Sequence, residues 1–207
     1  MKKQFFTLPL LLTFLVLLTS WSSSAQTSEK IWSFGPEVGV NISKFGGDAN
    51  DDTDFRTGVA FGLGLTYSIQ NTYGITTKVL YSQRGAKIDD TKLSMKYIEV
   101  PVTGRFFLNR DGIFRPNIFL GPSFAFLTGV SSKTNDGENV ENNDYKDSYN
   151  TFDFGLTGGL GLNWLIANET HIIIDGRYTH GLSDVAKSDS DVFNRGFTIS
   201  AGVTFGL

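Results

Sequence analysis

The first residues that could do chemistry form a run of alternating acids and amides in a polar stretch. The candidates are Asp48, Asn50, Asp52 and Asp54. Their spacing is similar to that of a calcium-binding loop, but Thr53 stands where the sharp turn needs glycine and Val59 where a bidentate glutamate belongs. We therefore predict a solvated acidic loop, with loose divalent-ion binding as the alternative, and no defined metal site.

A second group has the residue types of a nucleophile, a base and an orienting acid that could act on a lipid ester. It consists of His180, Ser183 and Asp184. These residues are neighbours in sequence, whereas a triad is defined by its geometry in the fold. The chain has two histidines and no cysteine, so thiol catalysis and cysteine-ligated metals are excluded. We predict no enzymatic activity and no cofactor.

A third group consists of charged residues that occupy alternate positions within apolar segments. Its members are Glu37, Arg56, Lys78, Arg84, Glu99, Arg105, Asp153, Asp175 and Arg177. Four acids and five bases nearly balance, as expected where a narrow interior forces each charge to be paired. We predict a structural network of interior charges. In the alternative, Glu37, Glu99 and Arg105 line an ion path.

The elements that carry these charges have a period of two residues, repeated about eight times. In the last segment, residues 197–207, apolar residues alternate with Gly, Ser and Thr. Polar connections at residues 44–54, 85–92, 131–150 and 183–195 alternate with shorter ones near 71, 112 and 168. This pattern predicts an all-β fold, an eight-stranded antiparallel up-and-down transmembrane β-barrel with both mature termini in the periplasm.

The amino terminus has the composition of an export signal. Two lysines precede the apolar residues 5–19, and the small residues 23–25 offer a cleavage site. We predict a signal peptide over residues 1–25 and one barrel domain over residues 26–207. Loss of Lys2 and Lys3 leaves 16 bases against 21 acids, a net charge of −5 without a basic stripe, so no nucleic-acid partner is expected.

The apolar face of the predicted strands carries one charged candidate, Lys96, and should therefore face lipid. A soluble lipocalin-like barrel that binds an apolar ligand is the alternative from another class, and it would turn the apolar face inward. Glycine at many of the positions that such a barrel would expose to water argues against it.

The longest polar connection, residues 131–150, is the candidate contact surface for a protein outside the cell. The residues singled out are Asp136, Glu138, Glu141, Asp144, Tyr145 and Tyr149. The alternative is an unstructured solvated loop with no partner.

Two segments resemble a known family: residues 34–41 (FGPEVGVN) and residues 97–102 (YIEVPV), together with the Gly-rich alternation at the end. They are similar to the porin-family small outer-membrane β-barrel proteins common in Bacteroidota. The resemblance implies an outer-membrane location, contact with outer-membrane lipid and insertion by the barrel assembly machinery, and it supplies no catalytic residues. One departure is Leu207 at the end, where such barrels often carry an aromatic residue.

These observations together favour a monomeric barrel with a structural or surface-interaction role. Since the family includes members linked to secretion, the expected partner is an extracellular or secretion-system protein. A narrow porin-like channel for ions or small solutes is the first alternative.

Overall fold

The computed structural model describes residues 32–48, 53–69, 71–88, 91–134, 139–140, 148–187 and 191–207. The predicted signal peptide lies outside these residues. The long strands are β1 (Trp32–Gly47), β2 (Arg56–Ile69), β3 (Tyr73–Ile88), β4 (Thr91–Phe107), β5 (Phe114–Thr134), β7 (Phe152–Ala167), β8 (Thr170–Gly181) and β9 (Val192–Gly206). A two-residue strand, β6 (Asn139–Val140), pairs with the end of β5.

The eight long strands form a closed antiparallel barrel. Each pairs with the long strands before and after it in the chain, and β9 returns to β1. Val38, for example, lies opposite Phe61 of β2 on one side and Ala201 of β9 on the other. The backbone amide of Leu207 donates to the carbonyl of Trp32 at 2.8 Å, which joins the residue after β9 to the first residue of β1. The predicted eight-stranded up-and-down barrel is confirmed.

The barrel has a proximal end and a distal end. The proximal end carries Trp32 and Gly206, and the distal end carries the opposite ends of the same strands, at Gly47 and Val192. No helix in the described part of the chain is long and apolar enough to cross a membrane.

The strand period of two residues places apolar side chains on the outer wall and polar ones inside. Leu120, Leu160 and Ile199 are 61%, 67% and 62% exposed, whereas Glu99 and Asp175 are almost completely buried. An apolar exterior around a charged interior is the reverse of a lipocalin-like barrel, so that alternative is wrong.

Aromatic residues pair across neighbouring strands near both ends of the outer wall. The proximal pairs are Trp32–Tyr67, Tyr73–Phe106 and Phe114–Trp164, with ring centroids 4.7, 5.4 and 5.3 Å apart. The distal pairs are Phe126–Phe152 and Tyr178–Phe197, at 5.5 and 4.8 Å. Two such belts are typical of a barrel that crosses a bilayer.

The strands continue further at the distal end than the sequence predicted. Residues 85–92 were expected to form a loop, but β3 ends at Ile88 and β4 begins at Thr91. Pairing continues because Ala86, Leu93 and Met95 bury an inward apolar face there. Lys87 and Lys92, the lysines in this range, lie on the opposite face.

Glycine on the inner face permits the strands to approach closely. A Cβ atom on Gly159 would overlap the backbone carbonyl of Gly176 and lie 2.8 Å from the ring of Phe119. On the outer face the restriction is absent at Gly176, where an added Cβ has no atom within 4 Å. The narrow lumen therefore depends on glycine at inward positions such as Gly159.

Candidate functional site

A first group of charges, the proximal ion cluster, consists of Glu37, Lys78, Arg105 and Asp175 inside the barrel. The ammonium of Lys78 donates to Glu37 at 2.5 Å and to Asp175 at 2.9 Å. The guanidinium of Arg105 donates to both carboxylate oxygens of Asp175, at 3.0 and 2.7 Å, and to Asn117 at 2.8 Å. Because two acids meet two bases, the cluster is neutral and ties together β1, β3, β4 and β8.

A second group, the distal ion cluster, consists of Arg84, Glu99, Asp153 and Arg177. Arg84 lies 2.6 Å from Glu99 and 3.8 Å from Asp153, while Arg177 lies 3.6 Å from the other oxygen of Glu99. The hydroxyl of Ser123 donates to Glu99 at 3.0 Å. This cluster is also neutral, as buried charges require if their desolvation is to be compensated.

Arg56 is the ninth predicted interior charge, and it lies apart from both clusters. Its side chain is half-buried at the distal end of β2, where its guanidinium donates to the backbone carbonyl of Arg84 at 3.4 Å. It also lines a groove on the outer wall. The structure thus brings eight of the nine predicted charges into two clusters.

A layer of amides and hydroxyls lies next to the distal ion cluster. Asn41 donates to Ser82 at 2.9 Å and accepts from Thr198 at 2.7 Å. Asn194 donates to Asp153 at 2.8 Å. The cavity beside Arg84 in this layer is about 10 Å³, which is room for about one water molecule.

The distal end of the lumen is filled by an apolar cap. The cap consists of Phe45, Ala86, Leu93, Met95, Tyr97, Ala125, Leu127, Val130 and Val185. The Tyr97 hydroxyl lies 3.5 Å from the sulfur of Met95 and accepts a hydrogen bond from Asn194 at 3.1 Å. Sequence reasoning missed this cap. Its signal was the alternation of Leu93, Met95 and Tyr97, which continues the inward face of β4.

At the proximal end the lumen opens into a vestibule of about 300 Å³. Arg115, Asn163 and His171 are among the residues that line it. The guanidinium of Arg115 donates to the carbonyl of Asn71 at 2.6 Å and lies 4.3 Å from the ring of Phe107. The described interior is therefore open at this end and filled further in by the clusters and the cap.

The residues considered for hydrolysis are engaged separately. Ser183 donates to Asp153 at 3.1 Å, and Asp184 accepts from the backbone amides of Ala186 and Val192. The ring of His180 lies 6.3 Å from that of Tyr178. These contacts hold the connection between β8 and β9 and do not make a nucleophile–base pair.

Of the cation candidates, Asp48 and Asp54 are described, and Asn50 and Asp52 lie outside the described residues. Asp48 accepts a hydrogen bond from the backbone amide of Asp191 at 3.1 Å. Within the described ranges no three histidine or acidic side chains are grouped to hold a metal ion.

The predicted contact surface falls largely outside the described residues. This applies to Asp136, Glu138, Glu141, Asp144 and Tyr145. Tyr149 is described: it is half-buried, forms a backbone bridge with Ala186 and packs against the apolar cap.

A closed wall of eight antiparallel strands, apolar outside and filled by ion pairs inside, defines a small transmembrane β-barrel. The chain belongs to the outer membrane protein beta-barrel domain family, whose model matches residues 24–187. It is therefore an outer-membrane protein in contact with outer-membrane lipid.

Solved structures of small barrels are similar in fold. Neisserial surface protein A is 13% identical, with a TM-score of 0.55 over 84% of this chain and 97% of its own. OprG from Pseudomonas aeruginosa is 16% identical, with a TM-score of 0.50 over 85% of this chain and 96% of its own. At these identities the likeness shows the fold alone. A comparison with curated protein sequences finds no match.

Proposed function

We propose that the protein is a non-conducting, non-enzymatic outer-membrane barrel with a structural or surface-contact role, exerted at its distal end. The observation that carries the proposal is the filled lumen. The proximal ion cluster, the distal ion cluster and the apolar cap follow one another along the interior. An ion crossing the barrel would have to separate paired charges in a low-dielectric interior and then displace packed apolar side chains.

The distal rim supports a contact role. On one side of the barrel β3, β4 and β5 contain 16, 17 and 21 residues, whereas β8 contains 12. β5 is the longest of the described strands and ends at Thr134, where the connection of residues 135–147 begins. We infer that this rim faces the exterior, with both termini periplasmic after removal of residues 1–25 and with insertion by the barrel assembly machinery. The proposed partner is an extracellular or secretion-system protein that meets a monomeric barrel.

The first expected result is the absence of steady channels when the full mature chain is inserted into planar bilayers. The Arg105 guanidinium is held by two hydrogen bonds to Asp175 and one to Asn117, so the lumen stays filled. Folding is checked on the same sample by the heat-dependent shift in gel migration. If the chain forms steady channels and Arg105→Ala abolishes them, the interior charges line an ion path. This result would refute the proposal that the barrel does not conduct.

The contact role predicts a position-dependent photocrosslink on intact cells. A photoreactive phenylalanine analogue at Tyr145, in the proposed contact loop, is expected to yield a protein adduct of higher mass. The matched control carries the analogue at Arg110, an exposed residue of the proximal turn, and is expected to yield no such adduct. Adducts from position 110 alone, with none from position 145, would place the contact at the other end of the barrel.

A further inference from the structure

Three lysines stand side by side on neighbouring strands at the distal end. Lys87 of β3 lies opposite Lys92 of β4, and Lys92 lies opposite Lys133 of β5. Like charges directly opposite each other in a sheet are destabilising. The arrangement is favourable only where a negative charge offsets the repulsion.

This lysine ladder lies on the outside of the barrel wall. Ala86 and Leu93, the sequence neighbours of Lys87 and Lys92, are buried in the apolar cap. Successive strand residues point to opposite faces, so the lysines point away from the lumen. They line a groove of about 460 Å³ that Arg56 and Lys96 also line.

An apolar ring at the groove adds to this arrangement. Phe55 lines the groove and is 58% exposed. The ammonium of Lys44 lies 5.6 Å from the centre of its ring. The groove thus combines a cationic surface with an exposed ring, as the boundary between water and lipid favours.

The groove begins where the lipid-facing wall ends. Ile98 and its partner Tyr81 are outward residues of the distal wall. Lys96 follows two positions beyond Ile98, about 7 Å along the strand at about 3.3 Å per residue. We infer that Lys96 lies at the level of the lipid headgroups, and Lys92 and Lys133 lie about 13 Å further out along their strands, at about 3.3 Å per residue.

The described residues that line the groove include five bases and no acid. The backbone of Asp54 exchanges hydrogen bonds of 2.8 and 3.0 Å with that of Lys87. Asp89 and Asp90, between β3 and β4 in sequence, lie outside the described residues. The five bases of the lining are Arg56, Lys87, Lys92, Lys96 and Lys133.

We propose that this groove binds the phosphate groups of an anionic lipid headgroup in the outer leaflet. Several ammonium groups at short spacing suit a multiply charged phosphate ester, because lysine acts on phosphate as a compact point charge. The lipid carries the phosphate to the height at which the lysines stand, and its acyl chains meet the apolar wall below. Lys133 lies at the start of the predicted contact connection, residues 131–150, and the proposal rests on the inference that the distal end faces the exterior.

The test uses the full mature chain refolded in dodecyl maltoside micelles and titrated with diphosphoryl lipid A, with bound lipid counted by native mass spectrometry. The double variant Lys92→Gln/Lys133→Gln is expected to weaken binding about tenfold, since two exposed charge contacts are lost. The matched control, Arg110→Gln/Lys187→Gln, removes the same charge at exposed positions outside the groove and is expected to bind as the unaltered chain does. Equal weakening in both variants would refute a specific site.

Two further ligands identify what is recognised. Lipid A without its phosphates is expected to bind the unaltered chain far more weakly, and equal binding would overturn phosphate recognition. This comparison needs no variant, so it remains valid if the double variant fails to refold. A sulfated oligosaccharide that binds more tightly than lipid A, and loses affinity in the Lys92→Gln/Lys133→Gln variant, would overturn the assignment to a lipid.

Discussion

Replacing Asp175 with alanine is expected to destabilise the folded barrel by about 3–5 kcal/mol, the usual cost of removing one partner from a buried ion pair. The carboxylate accepts from both Lys78 and Arg105, at 2.9, 3.0 and 2.7 Å. Without it, the cluster holds two buried cations and one carboxylate, Glu37, which contacts Lys78. The free energy of unfolding is measured in lipid vesicles by urea titration, with tryptophan fluorescence as the signal.

A double-mutant cycle separates the loss of charge balance from the loss of packing. Lys78→Met removes one of the stranded cations, so Asp175→Ala/Lys78→Met restores a neutral cluster of Glu37 and Arg105. We expect the loss of stability in the double variant to be smaller than the sum of the two single losses by about 0.5–3 kcal/mol. Asp111→Ala, in the exposed proximal turn, is the control and should change stability by no more than about 0.5 kcal/mol. Additive losses within about 0.5 kcal/mol would contradict the paired-charge interpretation of the interior.

The face on which each interior charge lies could be predicted from the sequence, because strand geometry has a period of two. Lys78 and Arg84 on β3, and Glu99 and Arg105 on β4, all stand on the inner face as expected. Which charges pair could not be predicted. Lys78 and Asp175 are 97 residues apart, and their contact depends on closure of the barrel and on the stagger of its strands.

The distal end shows why the sequence pattern understated the strands. Residues 85–92 were predicted to be a polar connection, yet Lys87 and Lys92 in this range are each one position from a residue buried in the cap. Short alternating segments with lysine on one face have a mean polarity close to that of a loop. Only the pairing of β4 with both β3 and β5 shows that the apolar residues of the three strands converge in one cluster.

The two kinds of interior layer have different consequences for the molecule. The ion clusters are held by directional contacts between distant strands, so they fix the register of the closed barrel and fill its centre. The apolar cap fills the end by packing, which responds to lost volume more than to lost charge. Substitution of the largest buried side chain of the cap separates these roles.

Replacing Tyr97 with alanine is expected to cost about 3–5 kcal/mol, as for other large aromatic residues in a packed core. The side chain has no exposed surface and packs among Met95, Leu127 and other cap residues. Tyr97→Phe is the matched control: it keeps the ring, loses the hydrogen bond from Asn194, and should cost about 1 kcal/mol. Urea unfolding in lipid vesicles measures both losses.

The same variant tests whether the apolar cap or the ion clusters close the lumen to ions. In Tyr97→Ala the contacts of Arg84 with Glu99 and of Arg105 with Asp175 remain, because both lie deeper in the lumen than the cap. We therefore expect the destabilised barrel to stay non-conducting in planar bilayers under conditions where it is folded. Steady channels in Tyr97→Ala, with none in Tyr97→Phe, would show instead that the apolar cap is what closes the barrel. This conclusion would follow because the two variants differ in the volume of the lost ring. The ion clusters would then line a water-filled interior.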